Sequence, residues 1–157
     1  MSILESLHDL CVSKEISVAV AESCTAGLIA SKLTLQSGSS VFFKGGIIAY
    51  QNEIKIKILG VDEQAILQYT EVSTEVVRQM AEGVRKSFLA DYSIATSGYA
   101  GPSGGTSNNP IGTVFIAISS ATGVDVEGFI FSGNRQSIVN QAAEKSLSLL
   151  YDAIKKY

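Results

Sequence analysis

The fold is decided by residues 16–27, which read ISVAVAESCTAG. The first six are mostly apolar, partly β-branched and uncharged, which predicts a short buried strand over residues 16–21. Polar side chains follow, Ser23 among them, and a helical apolar pattern then predicts a helix from about residue 24 to 35. A strand that turns tightly into a helix places Ser23 near the helix N-terminus, where backbone N–H groups are free and the helix dipole is positive.

Two interpretations of Ser23 follow from this position. Serine is a preferred N-cap residue, so its hydroxyl could do no more than satisfy a backbone amide, and the stretch alone favours this interpretation. The same turn can instead hold a nucleophile or an anion. The neighbouring Cys24 is more typical of a small buried apolar residue than of a nucleophile.

The composition predicts one globular domain over residues 1–157. Hydrophobic residues make up 46% of the chain and charged residues 17%, which excludes a disordered chain. The formal net charge is −3 and no block of Lys or Arg occurs, which argues against nucleic acid as the main partner. No apolar run approaches the ~20 residues of a membrane span, and the first residues do not resemble a signal peptide. We therefore expect a cytoplasmic protein that does not bind membranes.

Metal centres and histidine-based triads are hard to build from this chain. Its two cysteines, Cys11 and Cys24, form neither a disulfide framework nor a metal-ligand set. Its single histidine, His8, falls on a predicted N-terminal helix, where we expect it at the surface. We accordingly expect no metal and no cofactor.

The remaining elements follow from hydrophobic periodicity. Apolar residues at helical spacing predict the N-terminal helix, and Gly45-Gly46 interrupts an apolar stretch at 41–50, which predicts one strand or two with a bulge or a close backbone approach. The Ile/Lys alternation at 51–60 fits a strand. It equally fits a short helix capped by Asn52 and ended by Gly60, which we favour.

The second half of the chain shows clearer signals. We predict a helix capped by Ser73 or Thr74, a strand at 91–97, a hairpin of strands at 111–118 and 124–131, and a last helix capped by Asn134. Helices interleaved with strands, plus one antiparallel hairpin, predict an α/β fold: a three-layer α/β/α sandwich with a mixed central sheet.

Polar residues at predicted strand ends are the first candidates for chemistry. Ser23, Tyr50 and Ser97 each follow a strand, and loops at the carboxyl ends of strands commonly form the ligand crevice of α/β sheets. If Ser23 is a nucleophile it needs a base other than histidine. Lys55 could serve when desolvated, with Tyr50 as a proton relay. Considered as isolated residues, however, Lys55 is more typical of a solvated helix lysine and Tyr50 of a strand-end aromatic residue.

Two further features could bind an anion. Residues 98–105 are too rich in glycine for regular structure, but they lack the Lys-Ser/Thr ending of a P-loop and the spacing of a dinucleotide fingerprint. The segment is therefore either a phosphate-binding loop or a surface loop. Arg135, just inside the last helix, could hold a phosphate or carboxylate, although its spacing alone suits an ordinary exposed arginine.

Four blocks of sequence, in order and spread over most of the chain, resemble the CinA C-terminal domain family. They are Ala21-Glu22-Ser23-Cys24-Thr25-Ala26-Gly27; Gly46 to Tyr50 with Asn52, Glu53 and Lys55; Ser97-Gly98-Tyr99-Ala100-Gly101-Pro102 with Gly104-Gly105 and Ile111-Gly112-Thr113-Val114; and Phe131-Ser132-Gly133-Asn134-Arg135. Together the blocks are a far more specific signal than any one alone.

The resemblance implies a nicotinamide-nucleotide amidase, which would convert nicotinamide mononucleotide and water to nicotinate mononucleotide and ammonia. Matched by motif, Ser23 is the implied nucleophile, activated by Tyr50 and Lys55. Backbone N–H groups of Cys24 or Thr25 could then stabilise the oxyanion. For binding of the nucleotide we expect Ser97, Gly98, Ala100, Gly101 and Arg135.

Two departures from the family pattern bear on specificity. Ala26 stands where the family usually has a glycine, and its methyl could crowd a ligand against the backbone. Tyr99 stands where a smaller aliphatic residue is common. A catalytically silent nucleotide-binding module and an amidase for another amide therefore stay open as alternatives.

The resemblance also bears on organisation and partners. The chain resembles the stand-alone form of the family, without the extra N-terminal domain of some members. The expected partner is a small pyridine nucleotide, and a homodimer is an arrangement that the family likeness leaves open.

Overall fold

Helices and strands alternate along the chain, and the computed structural model describes all residues, 1–157. The order is α1 (Ile3–Ser13), β1 (Val18–Glu22), α2 (Leu28–Leu33), a 3-10 turn (Ser39–Val41), β2 (Phe43–Ile48), α3 (Asn52–Leu59), α4 (Glu63–Tyr69), α5 (Thr74–Phe88), β3 (Tyr92–Gly98), β4 (Thr113–Ser120), β5 (Gly123–Ile130) and α6 (Arg135–Lys155). None of these helices is both long and apolar enough to cross a bilayer.

The five strands form one mixed sheet in the order β2-β1-β3-β4-β5. The first three are parallel to one another, and β4 and β5 continue the sheet as an antiparallel hairpin. Helices α1, α2 and α6 contribute to the core on one face, and α3, α4 and α5 to the core on the other. The predicted three-layer sandwich with a mixed sheet is confirmed.

Strand β1 lies between β2 and β3 and is buried along its whole length. Val18 and Val20 point into the core beneath α6, whereas Ala19 and Ala21 point into the core beneath α5, because successive side chains of a strand face opposite ways. From β1 the chain leaves by α2 on one face toward β2, and it returns by α3–α5 on the opposite face to β3. The carboxyl end of β1 is therefore a topological switch point, where α/β sheets open a crevice.

Side-chain caps begin the longer helices where the sequence predicts. The Ser73 hydroxyl accepts the N–H of Val76 at the start of α5, and the Asn134 carboxamide accepts the N–H of Ser137 at the start of α6. The stretch at 51–60 is a helix, as we favoured, and Gly60 ends it in the left-handed conformation. Its N-cap residue is Gln51, however, and not Asn52.

Residues 41–50 contain one continuous strand, β2, and not two. Gly46 permits a close backbone approach, because a Cβ there would overlap the backbone oxygen and side chain of Val20. The pairing register with β1 also shifts between Val18 and Ala19. Both expected consequences of Gly45-Gly46, an irregular ladder and a close approach, are present.

Two expectations from the sequence are wrong, and one helix was not predicted. The helix after β1 begins at Leu28 and not near residue 24, because Ala26 and Gly27 adopt positive φ values of +47° and +97° that a right-handed helix excludes. The helix α4 was not predicted. His8 is not a surface residue, since its side chain is only 14% exposed and its ring lies edge-on to Phe42.

Candidate active site

A cavity of about 390 Å³ opens at the carboxyl edge of the parallel strands. It brings together side chains from distant parts of the chain. Its lining includes Ser23 after β1, Tyr50 after β2, Lys55 in α3, Glu71 before α5, Ser97 in β3 and Arg135 at the start of α6. The switch point at β1 thus positions the candidates that the sequence identified.

The side chain of Lys55 is buried in the wall of this cavity. It is 1% exposed, and its amine donates a hydrogen bond to the backbone oxygen of Tyr50 at 3.1 Å. Burial lowers the pKa of Lys55 below its ordinary 10.5, because desolvation disfavours the charged form, while the Glu71 carboxylate and Cys24 oppose the shift. The solvated helix lysine that the isolated residue suggested is therefore wrong. A lysine in this environment is easier to deprotonate than one in water.

Ser23 is held in place by its backbone and leaves its hydroxyl uncommitted. Its N–H donates to the Thr96 oxygen at 3.1 Å, which extends the β1–β3 ladder past the strand end. Its hydroxyl makes no hydrogen bond within the protein and does not cap α2. Ser23 and Lys55 line the same cavity but do not hydrogen-bond each other directly. A movement of either side chain, or a bridging molecule, would have to connect them.

Tyr50 does not connect them in this structure. Its hydroxyl accepts a hydrogen bond from Arg135 Nη2 at 2.8 Å, and the residue is 54% exposed. Arg135 also donates through Nη1 to the backbone oxygen of Gly101 at 2.7 Å. The guanidinium therefore ties together the end of β2, the 98–105 loop and the start of α6, and the relay from Lys55 through Tyr50 to Ser23 is not formed.

The turn after Ser23 supplies free backbone donors. The N–H of Ala26 donates back to the Ser23 oxygen, but those of Cys24 and Thr25 have no acceptor in the protein. The Thr25 hydroxyl is instead paired with that of Thr96 at 2.8 Å. Because α2 begins later than expected, Cys24 and Thr25 are not in its first turn. Any oxyanion contact from them comes from the turn and not from the helix end.

The thiol of Cys24 is unsuited to act as the nucleophile. Burial raises its pKa to about 12, and the nearby Glu22 charge acts in the same direction, while a hydrogen bond from Thr96 opposes it. A cysteine reacts as the thiolate, which is scarce at neutral pH for such a group. The expectation from the sequence that Cys24 is a small buried residue is confirmed by its 8% exposure.

Glu22 fixes the far end of the same turn. Its carboxylate is 1% exposed and accepts the N–H groups of Ile29 at 2.9 Å and Ala30 at 3.0 Å. Gly27, the N-cap residue of α2, has no side chain to do this. Glu22 therefore occupies the positive end of α2, where we had expected room for an anion.

The other predicted binding residues also lie at the cavity. The Ser97 hydroxyl is buried and donates to the backbone oxygen of Glu71 at 2.7 Å, so it positions the wall more than it faces a ligand. Gly98, Ala100 and Gly101 line the cavity on the loop side. A second cavity of about 610 Å³ adjoins it, sharing Cys24 and Arg135 and lined also by Thr25, Ala26, Gly27, Ser31 and Gln136.

Two residues of the site, Glu71 and Thr96, were not predicted from the sequence. Glu71 lies in a segment for which no element was predicted. Thr96 precedes Ser97 in β3, and the hydroxyl and carbonyl of Thr96 hold the Ser23 turn. No group of three or more His, Cys, Asp or Glu side chains is arranged to hold a metal ion. The assembled groups are a hydroxyl, a buried amine, two free amides, a carboxylate and a guanidinium, a set suited to acyl transfer.

Comparison with known proteins supports a single family. The family model described as the CinA C-terminal domain matches residues 1–154. A CinA-like protein of Flavobacterium psychrophilum is 42% identical over 150 residues, which are 96% of this chain and 36% of that protein. A CinA-like protein of Fervidobacterium nodosum is 41% identical over 150 residues, again 96% of this chain and 36% of the relative. The chain thus spans about a third of the length of these curated relatives.

Solved structures agree with the sequence comparison. A competence-damaged protein (CinA) superfamily protein from Klebsiella pneumoniae superposes with a TM-score of 0.93 at 28% identity, covering 100% of both chains. A competence or damage-inducible protein from Enterobacter asburiae has a TM-score of 0.93 at 33% identity, covering 97% of this chain and 96% of that one. The fold therefore recurs in full in these proteins.

Proposed function

Since the chain belongs to the CinA C-terminal domain family, we propose that it is a serine amidohydrolase that deamidates nicotinamide mononucleotide. The products would be nicotinate mononucleotide and ammonia. The proposal combines the resemblance of the motif blocks with the groups that line the cavity. It concerns this chain alone, and not the longer relatives.

One observation carries the proposal: the cavity that contains the free Ser23 hydroxyl also contains the buried amine of Lys55. An alcohol is a weak nucleophile until a base removes its proton. The chain has one histidine, and His8 does not line this cavity. A lysine whose charged form is disfavoured by burial is the group in the cavity that can serve as the base.

The reaction would proceed in two steps. The Ser23 oxygen attacks the carboxamide carbon while its proton passes to the neutral Lys55 amine. The resulting ammonium returns a proton to the nitrogen of the tetrahedral intermediate, the C–N bond breaks, and ammonia leaves an ester on Ser23. Water, deprotonated by the same amine, then attacks the ester carbon and releases the carboxylic acid with regeneration of the serine hydroxyl.

The free amides of Cys24 and Thr25 would stabilise the oxyanion, an effect worth about 3 kcal/mol per donor. Arg135, with the 98–105 loop, would bind the nucleotide phosphate through guanidinium N–H groups not used by Tyr50 and Gly101. Because Lys55 and Ser23 are not directly bonded, we expect bound substrate, or a reorientation of Tyr50, to bring them into proton-transfer distance.

Ammonia release tests the proposal directly. Purified protein with nicotinamide mononucleotide should liberate ammonia, and Ser23→Ala should abolish the release while Ser37→Ala, in an exposed loop, leaves it unchanged. Mass spectrometry of the quenched reaction should show an ester of nicotinate mononucleotide, with its ribose phosphate retained, on the Ser23 peptide. Binding of the nucleotide without turnover by the unmodified protein would contradict the proposal and favour a silent nucleotide-binding module. Turnover of other amides alone would indicate a different substrate.

Arg135→Ala tests the phosphate role separately. We expect the KM for the nucleotide to rise about tenfold, since a charge-assisted contact is lost, with a smaller change in kcat. An unchanged KM would remove Arg135 from the binding site.

A further inference from the structure

Glu71 is the one acidic residue that lines the Ser23 cavity. Its backbone is fixed, because its carbonyl accepts the buried Ser97 hydroxyl at 2.7 Å. Its carboxylate, by contrast, makes no hydrogen bond in the protein and no ion pair within 4.0 Å. Glu71 is half-buried, so water screens its carboxylate only in part and a cation in the cavity would interact favourably with it.

Neither cation of the cavity makes a direct ion pair with Glu71, although the Glu71 charge favours the protonated form of Lys55. The Arg135 guanidinium is directed at Tyr50 and Gly101. The Lys55 amine donates to the Tyr50 backbone oxygen, and the proposed mechanism requires it to be neutral before substrate attack. When Lys55 is neutral, as the proposed mechanism requires, the Glu71 carboxylate has no cation paired with it inside the cavity.

Two aromatic side chains, Tyr50 and Tyr99, line the same cavity. The face of a phenol ring attracts a cation, and it also stacks on a flat heteroaromatic ring. A cavity lined by a carboxylate and two phenol rings favours a ligand that is at once flat, aromatic and positively charged. A neutral amide ring would gain the stacking but would leave the Glu71 carboxylate uncompensated.

We infer that Glu71 is a specificity-determining residue that selects a cationic, N-substituted pyridinium ring over its neutral counterparts. The inference rests on the proposed function and assigns a residue to the recognition of the substrate's charged ring. A cationic ring draws electrons from the attached carboxamide, so selecting the cation also selects the amide whose carbon is more readily attacked. Glu71 would also offset the repulsion between the ring charge and the Lys55 ammonium that forms when the amine takes the Ser23 proton.

Binding to a variant that cannot turn over separates selection from reactivity. In the Ser23→Ala background, calorimetry should show nicotinamide mononucleotide binding about tenfold more tightly than its reduced form, which has the same phosphate and carboxamide but an uncharged ring. In the double variant with Ser23→Ala and Glu71→Gln, the dissociation constants of the two ligands should become equal. Adding Glu63→Gln, which removes an equal charge on exposed α4, should preserve the preference.

A second ligand pair makes the inference independent of the nucleotide. Competition experiments should show that 1-methylnicotinamide, a cationic ring without phosphate, binds better than nicotinamide, and that Glu71→Gln cancels the difference. Glu71→Asp should retain part of it. Equal binding of charged and neutral rings, or a preference that survives Glu71→Gln, would overturn the inference. Absent ammonia release with an intact charge preference would instead overturn only the deamidase proposal.

Discussion

Glu22, which precedes Ser23, and Lys55, which lines the Ser23 cavity, are both 1% exposed, yet their surroundings differ sharply. The Glu22 carboxylate accepts two backbone N–H groups at the start of α2. The Lys55 amine, which has three protons to donate, makes one hydrogen bond, to a carbonyl. The Glu22 charge is thus stabilised by the start of α2. The Lys55 side chain lies in the cavity wall, where burial disfavours its charged form.

This difference separates a structural charge from a reactive one. A buried charge that is fully hydrogen-bonded stabilises its surroundings, and removing it exposes unsatisfied partners. A buried lysine with few hydrogen-bond partners loses its proton more readily. Removing such a side chain lowers the reaction rate more than the stability of the fold. The comparison therefore predicts opposite effects of substitution at the two positions.

The largest expected effect is on activity at Lys55. Lys55→Met keeps most of the side-chain volume but removes the base, so the rate of ammonia release should fall about 10³-fold. The free energy of unfolding at pH 7, measured with urea, should be unchanged or higher, because no ammonium has to be desolvated. A loss of stability as large as the loss of activity implies would show that Lys55 is a structural residue, and the predicted difference from Glu22 would then be wrong.

Substitution of Glu22 should instead lower the stability of the protein. Glu22→Gln directs an amide N–H at one of the Ile29 and Ala30 donors, and should lower the free energy of unfolding by about 2 kcal/mol. Glu63→Gln, an exposed acid in the first turn of α4, should change it little. Urea unfolding of the three proteins makes the comparison, and equal stability of Glu22→Gln and the unsubstituted protein would refute the capping role.

The stability difference at Lys55 should depend on pH. The folded-state pKa of Lys55 lies below the ordinary 10.5, so the penalty of burying its charge is complete below the folded pKa. As pH rises from that value to 10.5 the folded protein loses the proton first, and the penalty disappears. The advantage of Lys55→Met over the unsubstituted protein should therefore shrink across this window. An advantage that is constant or grows with pH would contradict the lowered pKa.

The smallest expected effect concerns the turn between Ser23 and the helix that Glu22 caps. Ala26 adopts a φ of +47°, where an L-residue is strained, so Ala26→Gly should stabilise the protein by about 0.5–1 kcal/mol. Ala121→Gly, in the exposed turn between β4 and β5, should not stabilise it. Thermal unfolding measures both, and a destabilised Ala26→Gly would mean that the methyl group is needed for packing.

The sequence predicts the helices and strands that carry Glu22 and Lys55, but not the tertiary contacts that distinguish the two residues. The Ile/Lys alternation of 54–58 allows a helix but does not say that Lys55 faces inward while Lys57 faces solvent, since that depends on how α3 packs on α5. The bond from Glu22 to α2 crosses a turn of positive φ values, which the motif letters do not reveal. The Arg135–Tyr50 contact joins residues 85 positions apart.

The motif blocks nevertheless identify most of the cavity, because strand ends are local signals and parallel strands bring them to one edge. Ser23, Tyr50 and Ser97 reach that edge from three strands for this reason. Glu71 escaped prediction because it lies between two helices, outside any strand end or cap. Its position depends on a tertiary bond from Ser97 to its carbonyl.

The central claim, that the Lys55 amine acts as the base for Ser23, is tested most directly by titrating that amine. NMR of protein carrying ¹³C,¹⁵N-labelled lysine, with the signal assigned by its absence in Lys55→Met, gives its midpoint. The account predicts a midpoint well below 10.5 that coincides with the pH at which kcat/KM for ammonia release rises. A midpoint at or above 10.5, or a kcat/KM profile with a different midpoint, would contradict it.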